Sequence, residues 1–238
     1  MSAGELTIVH VYPSLLGLYG DRGNTLVIAH RARAKGIGVD IVDVAPGQPV
    51  PQSADVYLIG GAEDAAQTAA VALLRDDGGL QRAADRGAVV FAVCAGFQIL
   101  GDSFTASDRQ VGGLALLDVA TDRLETRAVG EVSAAAVDLA LPVLSGFENH
   151  GGRTVLGPDA TPLARVTHGV GNGSAGTEGA VTGHIVGTYL HGPVLARNPA
   201  LADLLIGWAL GRPFDGGGDP VVAGLRDERL AAARKRST

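Results

Sequence analysis

The sequence predicts an α/β fold: a doubly wound, largely parallel sheet with helices on both faces and an antiparallel extension in the second half. Three observations carry that expectation. In the first half, short apolar runs rich in β-branched residues alternate with segments of helical periodicity. One of those runs, 88–93 (AVVFAV), is apolar throughout, as strands covered on both faces are. From 111 to 190 the pattern changes to short strands at close intervals, separated by glycines.

The elements follow in order. Leu6 to Tyr12 reads as a first strand. Residues 24–35 (NTLVIAHRARAK) place apolar and basic side chains at helical spacing and stop at Gly36, a natural helix end. Val39 to Val44 and Val56 to Ile59 read as strands, the latter stopped by Gly60-Gly61. Helices are expected over about 64–74 and 79–86, before the strand 88–93. The second half offers LALLDVAT, VGEVSAAAVDL, PVLSGFE, PLARVTH and GAVTGHIVGTYL as strand segments, with 169–179 (GVGNGSAGTEG) as a mobile polar loop. Residues 200–210 form an amphipathic helical pattern, and 219–236 a second one that turns basic at Arg234, Lys235 and Arg236, read as a solvated terminus. The chain 1–238 reads as a single domain, with its core over about 6–212 and a helical tail over about 219–236.

Composition bounds what such a chain can do. Its 238 residues are 46% hydrophobic and 18% charged, which excludes a disordered chain. A net charge of -6 argues against a broad basic face for nucleic acid. No apolar run reaches the roughly 18 residues of a membrane helix. The first residues, MSAGELTIVHVYPS, lack the basic-then-apolar order of a signal peptide. Cys94 is the sole cysteine, so no internal disulfide can form, and a cytoplasmic location is expected. One cysteine and scattered histidines give no metal-ligand spacing.

The segment 88–101 (AVVFAVCAGFQILG) carries the chemistry. A buried strand runs into Cys94, a helix begins at Ala95-Gly96, and the flanking residues are small. A strand-to-helix elbow needs small neighbours, because its nucleophile sits in a strained conformation at a crowded corner. The thiol then projects at the carboxyl end of the sheet, where open α/β sheets hold their sites. A helix N-terminus behind it favours the thiolate, and the Ala95 N–H faces the same space as an oxyanion donor. A lone cysteine ending an apolar strand is commonly just a small core residue. The elbow sets this one apart.

A nucleophilic cysteine needs a base. His10 lies in the first strand and His30 on a helix face; both read as structural. His168 and His184 sit in or beside strands near the glycine loop. Two candidates stay open: His191, which ends the apolar run GTYLHGP, and His150, in GFENHGGRT. The strand-end position aims His191 at the face that carries Cys94, which ranks it somewhat above His150.

Gly60-Gly61 after a strand, Cys94-Ala95-Gly96-Phe97-Gln98 at an elbow and Tyr189-Leu190-His191-Gly192-Pro193 at a strand end together resemble class I glutamine amidotransferases of the cobyric-acid-synthase-like group. The resemblance runs from about Thr7 to Arg212. Tyr19-Gly20-Asp21-Arg22-Gly23-Asn24, Glu125-Thr126-Arg127 and the run 146–154 (GFENHGGRT) narrow it to GatD-type subunits, the small glutaminases of lipid II isoglutaminyl synthases. The resemblance implies that Cys94 attacks the side-chain amide of L-glutamine, with a glutamyl thioester as intermediate and His191 shuttling the proton. It implies an oxyanion hole from the backbone at Gly60, Gly61 and Ala95. Substrate contacts fall to Arg127, on the α-carboxylate, and Gln98. Without that context Arg127 reads as a surface ion pair and Gln98 equally well as a helix-surface residue.

The chain departs from the broad class at Pro193, where such enzymes usually carry a glutamate that orients the histidine. The cobyric-acid-like group lacks that glutamate too. Asp21, Glu148 or a carboxylate of a partner could take its place. No GxxxxGK[ST] phosphate loop is present, so no cofactor is expected here. ATP and Mg are expected on a partner, which the resemblance makes a Mur-ligase-like synthetase, MurT, fed with ammonia. Three other readings remain: a glutaminase subunit of another pathway, of cobyrinic acid or pyridoxal phosphate synthesis type; a glutaminase-like binding protein without catalysis; or a general cysteine hydrolase of similar sheet topology that needs no synthetase.

Overall fold

A computed structural model describes residues 5–17 and 21–235, with side chains through 231. Tyr19 and Gly20, and the basic side chains at 234–236, lie outside the described residues.

The first half keeps the expected order: β1 (Glu5–Val11), α1 (Arg22–Ala34), β2 (Gly38–Val44), β3 (Val56–Ile59), α2 (Asp64–Asp77), α3 (Gly79–Asp85) and β4 (Val89–Val93). Helix α4 (Ala95–Leu100) follows β4 after Cys94 alone. Then come β5 (Ser103–Ala106), β6 (Arg109–Gly112), β7 (Val119–Ala136), β8 (Leu144–Leu156), β9 (Ala164–His168), β10 (Thr177–Glu178), β11 (Ala180–Thr182) and β12 (Ile185–Thr188). Helices α5 (Val194–Arg197), α6 (Pro199–Leu210) and α7 (Pro220–Lys235) end the chain.

The first sheet has the order β11-β12-β4-β3-β1-β2 and is parallel except for β11 at its edge. Every residue of β3 and β4 is buried, which is why these strands read as unbroken apolar runs. Between β1 and β3 the chain changes direction of travel across the sheet, the kind of crevice where open α/β sheets bind ligands. Arg31 of α1 grips Asp203 of α6 with two hydrogen bonds of 2.6 Å, tying the helices on one face together.

The antiparallel part stands as a second sheet, β10-β9-β7-β5-β6 with β8 on β7, rather than continuing the first. Only β11 and β12 return to the first sheet. Two segments expected as separate strands merge into β7, 18 residues long, bent by a bulge between Arg123 and Ala128. The hairpin β5–β6 was not anticipated at all. The two sheets meet at the site: His191, past the end of β12, exchanges backbone hydrogen bonds of 2.8 and 3.1 Å with Phe147 of β8.

The glycine loop 169–179, expected to be mobile, is anchored. Both oxygens of buried Glu148 accept from it, Oε1 from Val170 N–H (2.9 Å) and Oε2 from Gly171 N–H (2.8 Å). Buried Asn172 spans its base, accepting from Gly179 N–H at 2.9 Å and donating to the Gly179 carbonyl at 3.0 Å. Burying these polar groups fully bonded compensates for desolvating them. Helix α7 is mostly exposed but touches the body of the fold: Arg226 donates to the Val143 carbonyl, and Arg229 lies 3.5 Å from Glu131. Among the described residues, no helix is long and apolar enough to cross a membrane.

Candidate active site

Cys94 holds φ +55° and ψ -111°, a region that side chains with a Cβ rarely occupy. Its N–H donates to the Thr188 carbonyl (2.8 Å), continuing the β4–β12 ladder one residue beyond the strand. Its own carbonyl accepts from Gln98 N–H (3.1 Å) and starts α4. The residue thus ends one element and begins the next, and the left-handed twist aims the side chain out of the sheet. The small neighbour is required: a Cβ on Gly96 would stand 2.8 Å from the Ile59 carbonyl oxygen.

The thiol opens on a cavity of about 580 Å³ whose walls include Glu63, Ala95, Gln98, Arg127 and His150. The expected thiolate is not the resting form. Burial pushes the Cys94 thiol up to about 12; nearby Asp21 adds to this, and the Ala95 N–H and Arg127 oppose it. A helix of six residues does not offset the loss of water around the sulfur. His191, 5% exposed, is pulled down to about 4, first by burial and then by the charges of His150 and Arg127. Cys94 and His191 are therefore both neutral at pH 7. That is the protonation state from which a base can take the thiol proton as attack begins.

Both open histidines lie beside a carboxylate, and His150 Nε2 is 3.8 Å from Glu148 Oε2. His191 does not line the cavity; it sits beside Asp21, with Nδ1 3.9 Å from Asp21 Oδ1. His150 lies flat on the Tyr189 ring, centroids 3.7 Å apart, and its Nδ1 is 3.0 Å from the Gly152 carbonyl. Those contacts make His150 part of the cavity wall. Among the rest, His10 is buried beside Asp43, His30 is exposed on α1, His168 pairs with Ser133, and His184 stacks on Trp208.

Arg127 reaches the same cavity as Cys94. It lies on the bulge of β7, and Asn149 of β8 fixes it, accepting from Nε at 2.7 Å and from a guanidinium NH2 at 3.2 Å. The bulge re-aims a side chain that a regular strand would have placed elsewhere. Asn149 was present in the GFENHGGRT run, but nothing in its spacing showed that it holds an arginine. Removing Arg127 should raise the KM for glutamine by roughly 10- to 100-fold, the loss of a charged hydrogen-bond pair, with kcat changed far less. Steady-state kinetics of Arg127→Ala with a normal melting curve check this; an unchanged KM returns Arg127 to a surface role.

Two expectations about polar groups require correction. The Gly61 N–H does not face the cavity: it donates to Asp21 Oδ2 at 2.7 Å. Gly60 lines an interior pocket with Asp21, and its carbonyl accepts from Gly96 N–H at 3.1 Å. A buried carboxylate must find donors, and Asp21 takes this one. Of the expected oxyanion donors, the Ala95 N–H lies against the sulfur, and the Gly61 N–H is taken by Asp21. Gln98 is not a helix-surface residue: it lines the cavity with Cys94 and is largely buried. Its amide is set in a buried chain: Gln67 Nε2 donates to Gln98 Oε1 (2.8 Å), Gln98 Nε2 donates to the Tyr189 hydroxyl (3.0 Å), and that oxygen meets Thr154 Oγ1 (2.7 Å). Its amide braces the wall behind the cysteine. Sequence spacing could not show this chain, because its members come from α2, α4, β8 and the end of β12.

Among the described residues, no group of three or more His, Cys, Asp or Glu is placed to hold a metal ion.

Comparison with known proteins agrees with this geometry. Residues 7–199 match the family model of the CobB/CobQ-like glutamine amidotransferase domain. The chain is 34% identical over 218 residues to the protein of Staphylococcus aureus (strain N315) named lipid II isoglutaminyl synthase (glutamine-hydrolyzing) subunit GatD, covering 89% of this chain and 88% of that one. The protein of the same name from Streptococcus pneumoniae (strain ATCC BAA-255 / R6) is 32% identical, over 88% of this chain and 82% of that one. A cobyric acid synthase of Sphingopyxis alaskensis is 34% identical over 71% of this chain, but only 34% of its own length is covered. In fold, the chain is similar to a solved glutamine amidotransferase at TM-score 0.58 and 19% identity, over 84% of this chain and 98% of that one. A helix-flanked sheet, a strained cysteine elbow and a family match over most of the length lead to one assignment: the chain belongs to the CobB/CobQ-like glutamine amidotransferases.

Proposed function

We propose that this chain is the glutaminase subunit of a lipid II isoglutaminyl synthase. The observation that carries the reading is Cys94, strained at its elbow and opening on the cavity that Arg127 lines. Likeness over nearly the full length of the two GatD proteins, against a third of the cobyric acid synthase, favours this acceptor over the cobyrinic one.

Glutamine enters with its α-carboxylate on Arg127 and its side-chain amide at Cys94. His191 takes the thiol proton as Sγ attacks the amide carbon, and the Ala95 N–H receives the developing oxyanion. The tetrahedral adduct collapses as His191 passes the proton to the departing nitrogen, releasing ammonia and leaving a glutamyl thioester. A water, deprotonated by His191, then cleaves the thioester to glutamate and restores the thiol. The sum is glutamine plus water giving glutamate plus ammonia.

The ammonia serves a partner, a Mur-ligase-like synthetase of the MurT kind, which holds ATP and Mg and amidates the D-glutamate of the lipid II stem peptide in the cytoplasm. Free hydrolysis would waste glutamine, so the isolated chain should hydrolyse it slowly. Binding of the synthetase should raise the rate by ~10²-fold, the scale set by a base misplaced by about 1 Å. Glutamate release, measured with and without the synthetase at equal subunit concentration, tests this. A full rate from the isolated chain sinks the dependence on assembly.

A further inference from the structure

Arg127 answers one of the two charges at the α-carbon of L-glutamine. The other, the α-ammonium, gives up water as it enters the cavity and needs an acceptor there. Two carboxylates line that cavity, Glu63 and Asp64, where α2 begins. Asp64 is committed to the β5–β6 hairpin. Its Oδ2 accepts from the Ser107 N–H at 2.6 Å and from the Ser107 hydroxyl at 3.3 Å, and lies 3.7 Å from Arg123. Glu63 is placed differently. It stands at the N-cap position of α2 in extended backbone (φ -82°, ψ 159°), exposed at the rim, and its side chain makes no capping bond to the helix. Glutamate is not among the residues that cap helices well, so α2 does not account for it. Its charge acts instead on the nucleophile. Burial does most to raise the Cys94 thiol; Glu63 adds to this from α2, and Arg127 opposes it from the bulge of β7. The sulfur thus stands in the fields of an anion and a cation that border the same cavity from two different elements.

We propose that Glu63 receives the α-ammonium of L-glutamine and, with Arg127 and Cys94, makes the site specific for an α-amino acid of L configuration. The inference rests on reading the chain as a glutaminase. Three contacts at non-collinear points, the amide on Cys94, the carboxylate on Arg127 and the ammonium on Glu63, fix the hand of a tetrahedral carbon, whereas two do not. Glu63 also ties recognition to reactivity. A negative charge near the sulfur disfavours the thiolate that forms during attack, and the bound ammonium cancels that charge. An amide without an α-amine leaves the opposition in place. Gln98 Oε1, which already accepts from Gln67, offers the ammonium a dipole but no charge.

The test is Glu63→Gln, which keeps the size and removes the charge, assayed by ammonia release in complex with the synthetase. We expect the KM for L-glutamine to rise roughly 10-fold, the loss of one charged hydrogen bond, with kcat changed far less. The companion ligand is 4-carbamoylbutanoate, which is glutamine without its α-amine. It should compete with glutamine weakly and equally in the two enzymes, its Ki agreeing within about two-fold, because neither enzyme has an ammonium to receive. A change that merely disturbed the cavity would weaken both ligands by the same factor, so the contrast between them isolates the contact. The preference for L- over D-glutamine should also narrow in the variant. The proposal is overturned if Glu63→Gln keeps the KM for L-glutamine within about two-fold of wild type, or if the Ki of 4-carbamoylbutanoate rises as much as that KM. Failure of the underlying reading looks different: the wild-type complex would then release no ammonia from L-glutamine.

Discussion

Cys94→Ser is expected to fold as the wild type does and to lose glutamine hydrolysis by on the order of 10⁴-fold or more. Serine fits the elbow, because it places one small polar atom where the sulfur was and keeps the backbone bonds to Thr188 and Gln98. The chemistry does not survive the exchange. A thiol already pushed up to about 12 is activated only by handing its proton to a base during attack. A hydroxyl in the same dry corner is a far weaker acid and a poorer nucleophile. Glutamate release and a thermal melt give the two readouts. Diazo-oxo-norleucine, an electrophilic glutamine analogue, should add its mass at Cys94 in the wild type and nothing in the variant. A folded wild type that remains unlabelled would support a binding protein without catalysis, and a variant with substantial activity would remove Cys94 from the nucleophile's role.

His191→Ala is expected to cost nearly as much, and the double variant little more than either alone, since nucleophile and base act as a unit. Burial keeps His191 neutral down to about pH 4, so the ring is a proton acceptor throughout the neutral range. His150→Ala is the informative companion. Its ring is stacked on Tyr189 and tied to Gly152, so its removal should loosen the wall that also carries Gln98 and lower the melting temperature. Its effect on kcat should be much smaller. A greater loss from His150→Ala than from His191→Ala, at equal folding, would exchange the two roles.

The elements of the first half were legible because its inner strands, β3 and β4 above all, are buried on both faces while the helices bury one side, so composition along the chain reports burial directly. In the second half the alternation marks strands but not their partners. A period of two fits a neighbour on either side and in either sheet, which is why β11 and β12 could not be told apart from the strands of the second sheet. The merger into one long β7 was hidden for a related reason: a bulge breaks the alternation at the place where it turns Arg127 toward the cavity.

The sequence by itself determined the chemistry available. It holds one cysteine, at a strand-to-helix corner that only small neighbours permit, and no phosphate loop of its own. Backbone sterics dictate that corner locally, so it is readable from a few adjacent residues. Only the tertiary structure decided the protonation and aim of those groups. The thiol is held protonated because burial, a property of the whole fold, outweighs a six-residue helix. The Gly61 N–H is taken because α1 brings Asp21 to it from 40 residues away. Gln98 was given to the wall by Gln67 and Tyr189, and His150 by the Tyr189 ring. Hydrogen bonding and desolvation act over a few ångströms, and the residues that meet at those distances here are far apart in the chain.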